Sequence, residues 1–195
     1  SPPLCIVRGK GNYLFDARGR KYFDGVSSLW CNVHGHGVGE ITGAIRRQAR
    51  QLAHSTLLGL THPGAETLAR RLVGLSPAGL QKVFYSDDGA TAVEAALKMA
   101  HQFWRHEGQM GRARFVSFRL GYHGDTIGAV SVGGVDLFHA TFRPLLFKSL
   151  KVEPPYCYRC PLKLSFPGCR YKCLEPVDAV LKKNQKRLTA MVVEP

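Results

Sequence analysis

From Glu40 to Val193 the hydrophobic pattern keeps changing period, and this restricts the fold more than any other feature of the chain. Ile41, Ala44, Ile45, Ala49 and Leu52 fall on one helical stripe, with Arg46, Arg47 and Arg50 off it. Pro63 opens a second stripe of Ala65, Leu68, Ala69, Leu72 and Val73, which ends before Ser76-Pro77. Val83-Phe84-Tyr85 then reads as a short buried strand. A long helix follows to about His106, its apolar face made by Ala92, Val93, Ala96, Leu97, Ala100, Phe103 and Trp104. Phe115–Phe118 is a second strand, a short helix capped by Asp125 comes next, Val177–Arg187 is helical and Ala190–Val193 is a third strand. Strands separated by helices have the connections that parallel pairing needs, so the expected architecture is α/β with a largely parallel sheet. Ahead of this region, residues 4–24 read as short antiparallel strands. They are punctuated by the turn signals Gly9-Lys10-Gly11-Asn12 and Asp16-Ala17-Arg18-Gly19-Arg20. Residues 25–39 are Gly- and His-rich loop, and no internal repeat is visible.

Composition narrows the class. With 195 residues, 45% hydrophobic and 21% charged, the chain suits a packed globular protein rather than a disordered one. No apolar run approaches the ~20 residues of a membrane helix. Basic residues number 27 against 14 acidic, a formal charge of +13, and eleven of the basic ones lie between Arg143 and Arg187. Such an excess calls for nucleic acid to be weighed as a partner. The chain starts at Ser1 with no charged-then-apolar leader and stops at Val192-Val193-Glu194-Pro195, an apolar strand just ending. Both ends read as cut, and the cytoplasm is the expected location. In that setting the six cysteines point to reduced thiols or a metal site rather than disulfides.

Ser86-Asp87-Asp88-Gly89-Ala90-Thr91 lies between a strand and a long helix. A helix start presents unpaired N–H groups and the positive end of the helix dipole, which together suit a phosphate. The plainer reading makes Asp88 a helix cap and Thr91 with Glu94 a capping box. No Gly-Lys-Ser/Thr follows, so this is not a P-loop, and it lacks the Gly-x-Gly-x-x-Gly spacing of dinucleotide sites.

The run from Ser86 through Gly89, Ala90, Thr91 and Glu94 to Ala100 closely resembles the cofactor-phosphate segment of class III aminotransferases, which are pyridoxal-phosphate enzymes of fold type I. Three further stretches agree in order: Asp24-Gly25-Val26-Ser27-Ser28-Leu29-Trp30 leading into His34-Gly35-His36; His54-Ser55-Thr56 leading into Gly59-Leu60-Thr61-His62-Pro63; and Tyr122-His123-Gly124-Asp125-Thr126. The combination is most similar to the branch that transfers an amino group from S-adenosylmethionine to 8-amino-7-oxononanoate, forming 7,8-diaminononanoate in biotin synthesis. The nearer rival is a class III enzyme acting on an ω-amino acid or a diamine.

The resemblance implies strands of a small domain in residues 1–35 and the first part of a large cofactor-binding domain in 36–195. It implies that Gly89 and Ala90 give backbone N–H groups to the cofactor phosphate, with Thr91 as a further hydroxyl donor. Many relatives have Ser where Ala90 stands. Tyr122 would stack on the cofactor ring, His123 would shape the turn, and Asp125 would orient its neighbours. Leu29 and Trp30 would line the substrate pocket together with Tyr122 and Asp125; close relatives often carry two Trp there. The lysine that binds the cofactor covalently and the aspartate at its pyridine nitrogen lie, in the family, after the Glu-Pro matched by Glu194-Pro195. Lys98, Lys148 and Lys182 do not fit that position, so this stretch alone is expected to be inactive. Relatives are homodimers with sites built at the interface.

Cys157-x-x-Cys160 and Cys169-x-x-x-Cys173, in a proline-rich loop over 154–174, have ligand-like spacing for structural zinc or an iron–sulfur cluster. The reading from another class is therefore a metal-stabilised basic module that grips nucleic acid. It leaves the Gly89 and Tyr122 motifs unexplained.

Overall fold

The computed structural model describes residues 2–195, and of Phe138 the backbone alone. The chain divides into two compact units, Ser1–Val83 and Phe84–Pro195.

The first unit opens with β1 (Ile6–Lys10), β2 (Tyr13–Asp16) and β3 (Lys21–Phe23), an antiparallel meander with β2 in the middle. Its second turn is organised by one buried carboxylate. Asp16 accepts the N–H groups of Arg18 and Arg20 (2.9 Å each), Arg20 Nε (2.7 Å) and the Tyr22 hydroxyl (3.1 Å). Burial alone would raise the Asp16 pKa, but these donors outweigh it and hold the carboxyl below its ordinary value. A one-turn segment, α1 (Ser27–Trp30), follows, then α2 (Gly39–Gln51) and α3 (Pro63–Leu75). Proline at the first position of α3 and His62 Nδ1, which accepts the Ala65 N–H at 3.3 Å, explain why that helix starts where it does.

The second unit is a three-layer sandwich. β4 (Arg114–Phe118) lies between β5 (Leu150–Val152) and β6 (Leu188–Val192), all parallel. Successive strand side chains point to opposite faces. Phe115 therefore packs with Leu97 of α4 (Gly89–His106) and Val132 of α5 (Ile127–Val132). Val116 packs on the other face with Val152 and with Val177 of α7 (Glu175–Asn184). Burying each such side chain contributes about 1.5–3 kcal/mol. Trp104 Nε1 donates to the Thr189 carbonyl at 2.7 Å, which ties the end of α4 to β6. The short helix α6 (Asp136–His139) and a 3-10 turn over Ala140–Leu145 lead into β5.

The helix–strand alternation is thus realised as a parallel sheet covered on both faces. One expected strand is missing. Val83-Phe84-Tyr85 is in neither sheet, because a strand exists only through a ladder with a second segment and these residues join none among the described ones. No helix among the described residues is long and apolar enough to cross a membrane.

Candidate functional site

The site in the second unit begins at the amino end of α4. The Asp88 side chain accepts the Thr91 N–H at 2.8 Å, and Thr91 Oγ1 accepts the Asp88 N–H at 3.1 Å, a reciprocal capping box. Glu94 is not its partner, contrary to the spacing argument. The Thr91 hydroxyl is fully engaged, since it also accepts from Ser86 Oγ (2.7 Å) and donates to the Asp88 carbonyl (3.0 Å). The N–H groups of Gly89 and Ala90 have no acceptor among the described residues. The space a Cβ would take at Gly89 is empty to 4 Å. The helix start therefore offers two unpaired donors to an open surface.

The Tyr122 turn closes against this helix start. Gly124 has φ +119°, and a Cβ there would meet the Ala90 Cβ at 2.5 Å, so only glycine lets the turn seat this closely. The Tyr122 N–H donates to Glu194 Oε2 at 2.8 Å, joining the turn to the end of β6. The Tyr122 hydroxyl donates to Asp125 Oδ2 at 2.8 Å, which raises the phenol pKa. Asp125 does not cap α5 as expected: Thr126 stands at that position, and the capping comes from Glu94 on α4. Glu94 Oε1 accepts Thr126 Oγ1 (2.6 Å) and the N–H groups of Gly128 (2.6 Å) and Ala129 (3.3 Å). His123 Nε2 is buried without a hydrogen-bond partner among the described residues, and burial lowers the imidazole pKa.

Beside this turn lies a cleft of about 290 Å³ bordered by Arg119, Ser131, Arg143, Phe147 and Lys151. The Lys151 ammonium donates to Ser117 Oγ at 2.8 Å, and no carboxylate among the described residues pairs with it. Burial, with the Arg119 guanidinium adding to it, pushes the amine down to about 8.

Leu29 and Trp30 belong to the first unit. Ser27, Ser28, Leu29 and Trp30 all have positive φ, between 48° and 69°, so α1 is wound left-handed. For residues with a Cβ this costs roughly 1–2 kcal/mol each. The surroundings hold it. Asp24 accepts the Ser28 N–H (2.8 Å) and Ser28 Oγ (2.7 Å), and its Oδ2 lies 2.8 Å from His36 Nε2. The Ser28 N–H first, then His36 and the Ser28 hydroxyl, hold the Asp24 carboxyl below its ordinary pKa. Leu29 and Trp30 are left 66% and 72% exposed.

Cys157, Cys160, Cys169 and Cys173 border one apolar cavity of about 20 Å³ with Tyr156, Leu162, Leu164 and Phe166. Among the described residues, however, no three His, Cys, Asp or Glu side chains are disposed to hold a metal ion. The zinc or iron–sulfur centre expected from the spacing has no such grouping there; the four free thiols line that apolar cavity instead.

The amino end of a glycine-led helix beside the strand ends of a parallel sheet has the unpaired donors and dipole that suit an anion. The chain belongs to the class-III aminotransferase family, which matches residues 1–195. It is 51% identical over 196 residues to the adenosylmethionine-8-amino-7-oxononanoate aminotransferase of Geobacter sulfurreducens, covering 100% of this chain and 43% of that protein. It is 47% identical over 201 residues to the enzyme of the same name from Methanocaldococcus jannaschii, covering 100% and 44%. The crystal structure of the Methanocaldococcus enzyme superposes with a TM-score of 0.88 at 46% identity, covering 98% of this chain and 41% of that one. An amine transaminase from an uncultivated Pseudomonas species, solved in its PLP-bound form, gives 0.89 at 36% identity, covering 100% and 45%. The chain therefore spans less than half the length of these relatives.

Proposed function

We propose that the chain is part of a pyridoxal-phosphate aminotransferase that transfers an amino group from S-adenosylmethionine to 8-amino-7-oxononanoate, giving 7,8-diaminononanoate for biotin synthesis. The observation that carries this reading is the pair of unpaired N–H groups at Gly89 and Ala90, beside which the Gly124 turn packs on Ala90. The identities of 51% and 47% to enzymes of that name favour this substrate pair over an ω-amino acid.

The residues present fit the cofactor. An open, glycine-led helix start with two free donors suits a dianionic phosphate, and Ala90 in place of a serine leaves the backbone donors intact. Gly89 and Ala90 would hold the phosphate, with Thr91 locking the cap that aims them. Tyr122 would lie against the cofactor ring, its hydroxyl anchored by Asp125, and His123 would fix the turn. When bound, pyridoxal phosphate supplies the electron-withdrawing ring through which an amino group can be taken from one carbon and given to another. Leu29, Trp30, Tyr122 and Asp125 would contact substrate, the first two excluding water from its apolar chain. In this reading residues 1–35 belong to a small domain and 36–195 to the large one. The covalent lysine and the pyridine aspartate come from sequence beyond Pro195. The working enzyme is a homodimer of the cytoplasm, and its interface covers apolar side chains such as Leu58, Leu75 and Leu137 that are exposed here.

The test offers the protein made from its complete gene 8-amino-7-oxononanoate with S-adenosylmethionine and, separately, pyruvate with an ω-amino acid. The reading expects 7,8-diaminononanoate in the first reaction. Amino transfer to pyruvate alone would overturn it.

A further inference from the structure

We propose that Asp24 and His36 are positioning residues: the Asp24 carboxylate, aimed by His36, fixes the left-handed α1 turn and so sets where Leu29 and Trp30 meet the amino acceptor. The inference rests on the proposed function, in which Leu29 and Trp30 face substrate.

Four successive non-glycine residues in the left-handed region do not hold that shape by themselves. Three backbone bonds, Trp30 N–H to the Val26 carbonyl (2.8 Å) and the Cys31 and Asn32 N–H groups to the Ser27 carbonyl (the latter at 2.9 Å), close the turn but do not anchor it. The anchor is Asp24. One carboxylate oxygen takes the Ser28 N–H, and the other takes the Ser28 hydroxyl and faces His36 Nε2. The Asp24 side chain is 5% exposed and that of His36 15%, whereas the side chains they present are largely bare.

His36 is itself seated on the β1–β2 hairpin. Its N–H donates to the Gly11 carbonyl at 2.7 Å, and its carbonyl accepts the Gly11 N–H at 3.0 Å. A Cβ on Gly9 would lie 2.5 Å from the imidazole, so glycine there leaves room for the ring. The Asp24 N–H donates to the Asn12 carbonyl at 2.9 Å, a second tie to the same hairpin. The meander thus acts as a rigid base, Asp24–His36 as a clamp, and Leu29-Trp30 as the part held out. The acceptor class that fits such a part is a keto acid with a long apolar carbon chain.

The test uses protein from the complete gene. Asp24→Asn keeps the shape of the side chain but weakens its hold on Ser28 and His36. It is expected to raise the KM for 8-amino-7-oxononanoate by about ten-fold, with kcat and bound cofactor within about two-fold. Adding Ser27→Gly, a residue at ease with positive φ, should bring the KM back most of the way. If Asp24→Asn folds poorly by circular dichroism, Ser28→Ala, which deletes a single hydrogen bond, is the variant on which the KM rise is read. Independently, the 19F resonance of 5-fluorotryptophan at Trp30, assigned by Trp30→Phe, should be one sharp line in the wild type and shift or broaden in the variant. An unchanged KM and resonance would overturn the proposal. So would a loss of kcat and KM together that Ser27→Gly does not rescue. Should the wild type refuse 8-amino-7-oxononanoate, the proposed function fails, and the Trp30 resonance still decides whether the clamp exists.

Discussion

Glu94 on α4 accepts the backbone N–H of Gly128 at 2.6 Å, so the side chain of one helix closes the amino end of the next. Thr126 and Ala129 donate to the same oxygen, and a Cβ at Gly128 would collide with the carboxylate. This contact holds α5, and with it the Tyr122 turn, against the start of α4. Glu94→Ala strands part-buried donors and is expected to cost about 2–3 kcal/mol in urea denaturation, since a hydrogen bond to a charged group is worth about 1.5–3. A change below ~0.5 kcal/mol would mean that the cap is not structural.

Gly124→Ala should act on cofactor affinity more than on global stability. The added methyl meets Ala90 and forces a backbone at φ +119° that side chains avoid. The Tyr122 turn must lift off the cradle. Pyridoxal phosphate affinity, followed by fluorescence titration, is expected to drop by more than about ten-fold, and the far-ultraviolet spectrum should stay near wild type.

Lys151 gives a pH signature of definite sign. Its folded pKa is about 8 against an ordinary 10.5, so between these values the unfolded chain binds more protons and stability rises with pH. Below pH 8 the half-buried ammonium is a cost. Lys151→Met should therefore be favoured over wild type most at pH 7, with the gap in urea midpoint narrowing towards pH 10. A gap independent of pH would contradict the assignment.

Asp16 titrates with the opposite sense. Its folded pKa lies below the ordinary value, so its stabilisation is present at neutral pH and is lost as pH falls through that lowered value. Asp16→Asn should lower the thermal midpoint at pH 7 and narrow the difference from wild type near pH 3. A constant difference would show that the four donors do not select the ionised form.

The parts of this structure that local chemistry decides were legible in the sequence. Proline at the first position and the Ala65–Leu72 stripe placed α3, and Gly89 after Asp88 placed the start of α4. What escaped depends on groups distant in sequence. Val83–Tyr85 is apolar like a strand, but pairing is a property of two segments. Glu94 sits at capping-box distance from Thr91, yet its oxygen goes to residues 126–129, over thirty positions away. Nothing in Ser27-Ser28-Leu29-Trp30 favours a left-handed turn; Asp24 and the docking of His36 impose it. The four late cysteines have ligand spacing, but spacing alone does not bring three ligands together among the described residues.

The central claim, that the Gly89 and Ala90 amides hold the cofactor phosphate, is tested most directly by Gly89→Pro in protein from the complete gene. Proline suits the first helical position, Asp88 before it is already extended (φ −153°, ψ 179°), and the space beside Gly89 is open, so the fold should survive. Only one N–H is removed. The account predicts that affinity for pyridoxal phosphate falls by about ten-fold or more, the worth of one charge-assisted hydrogen bond, while affinity for unphosphorylated pyridoxal is unchanged. Equal affinity of wild type and variant for pyridoxal phosphate would contradict it.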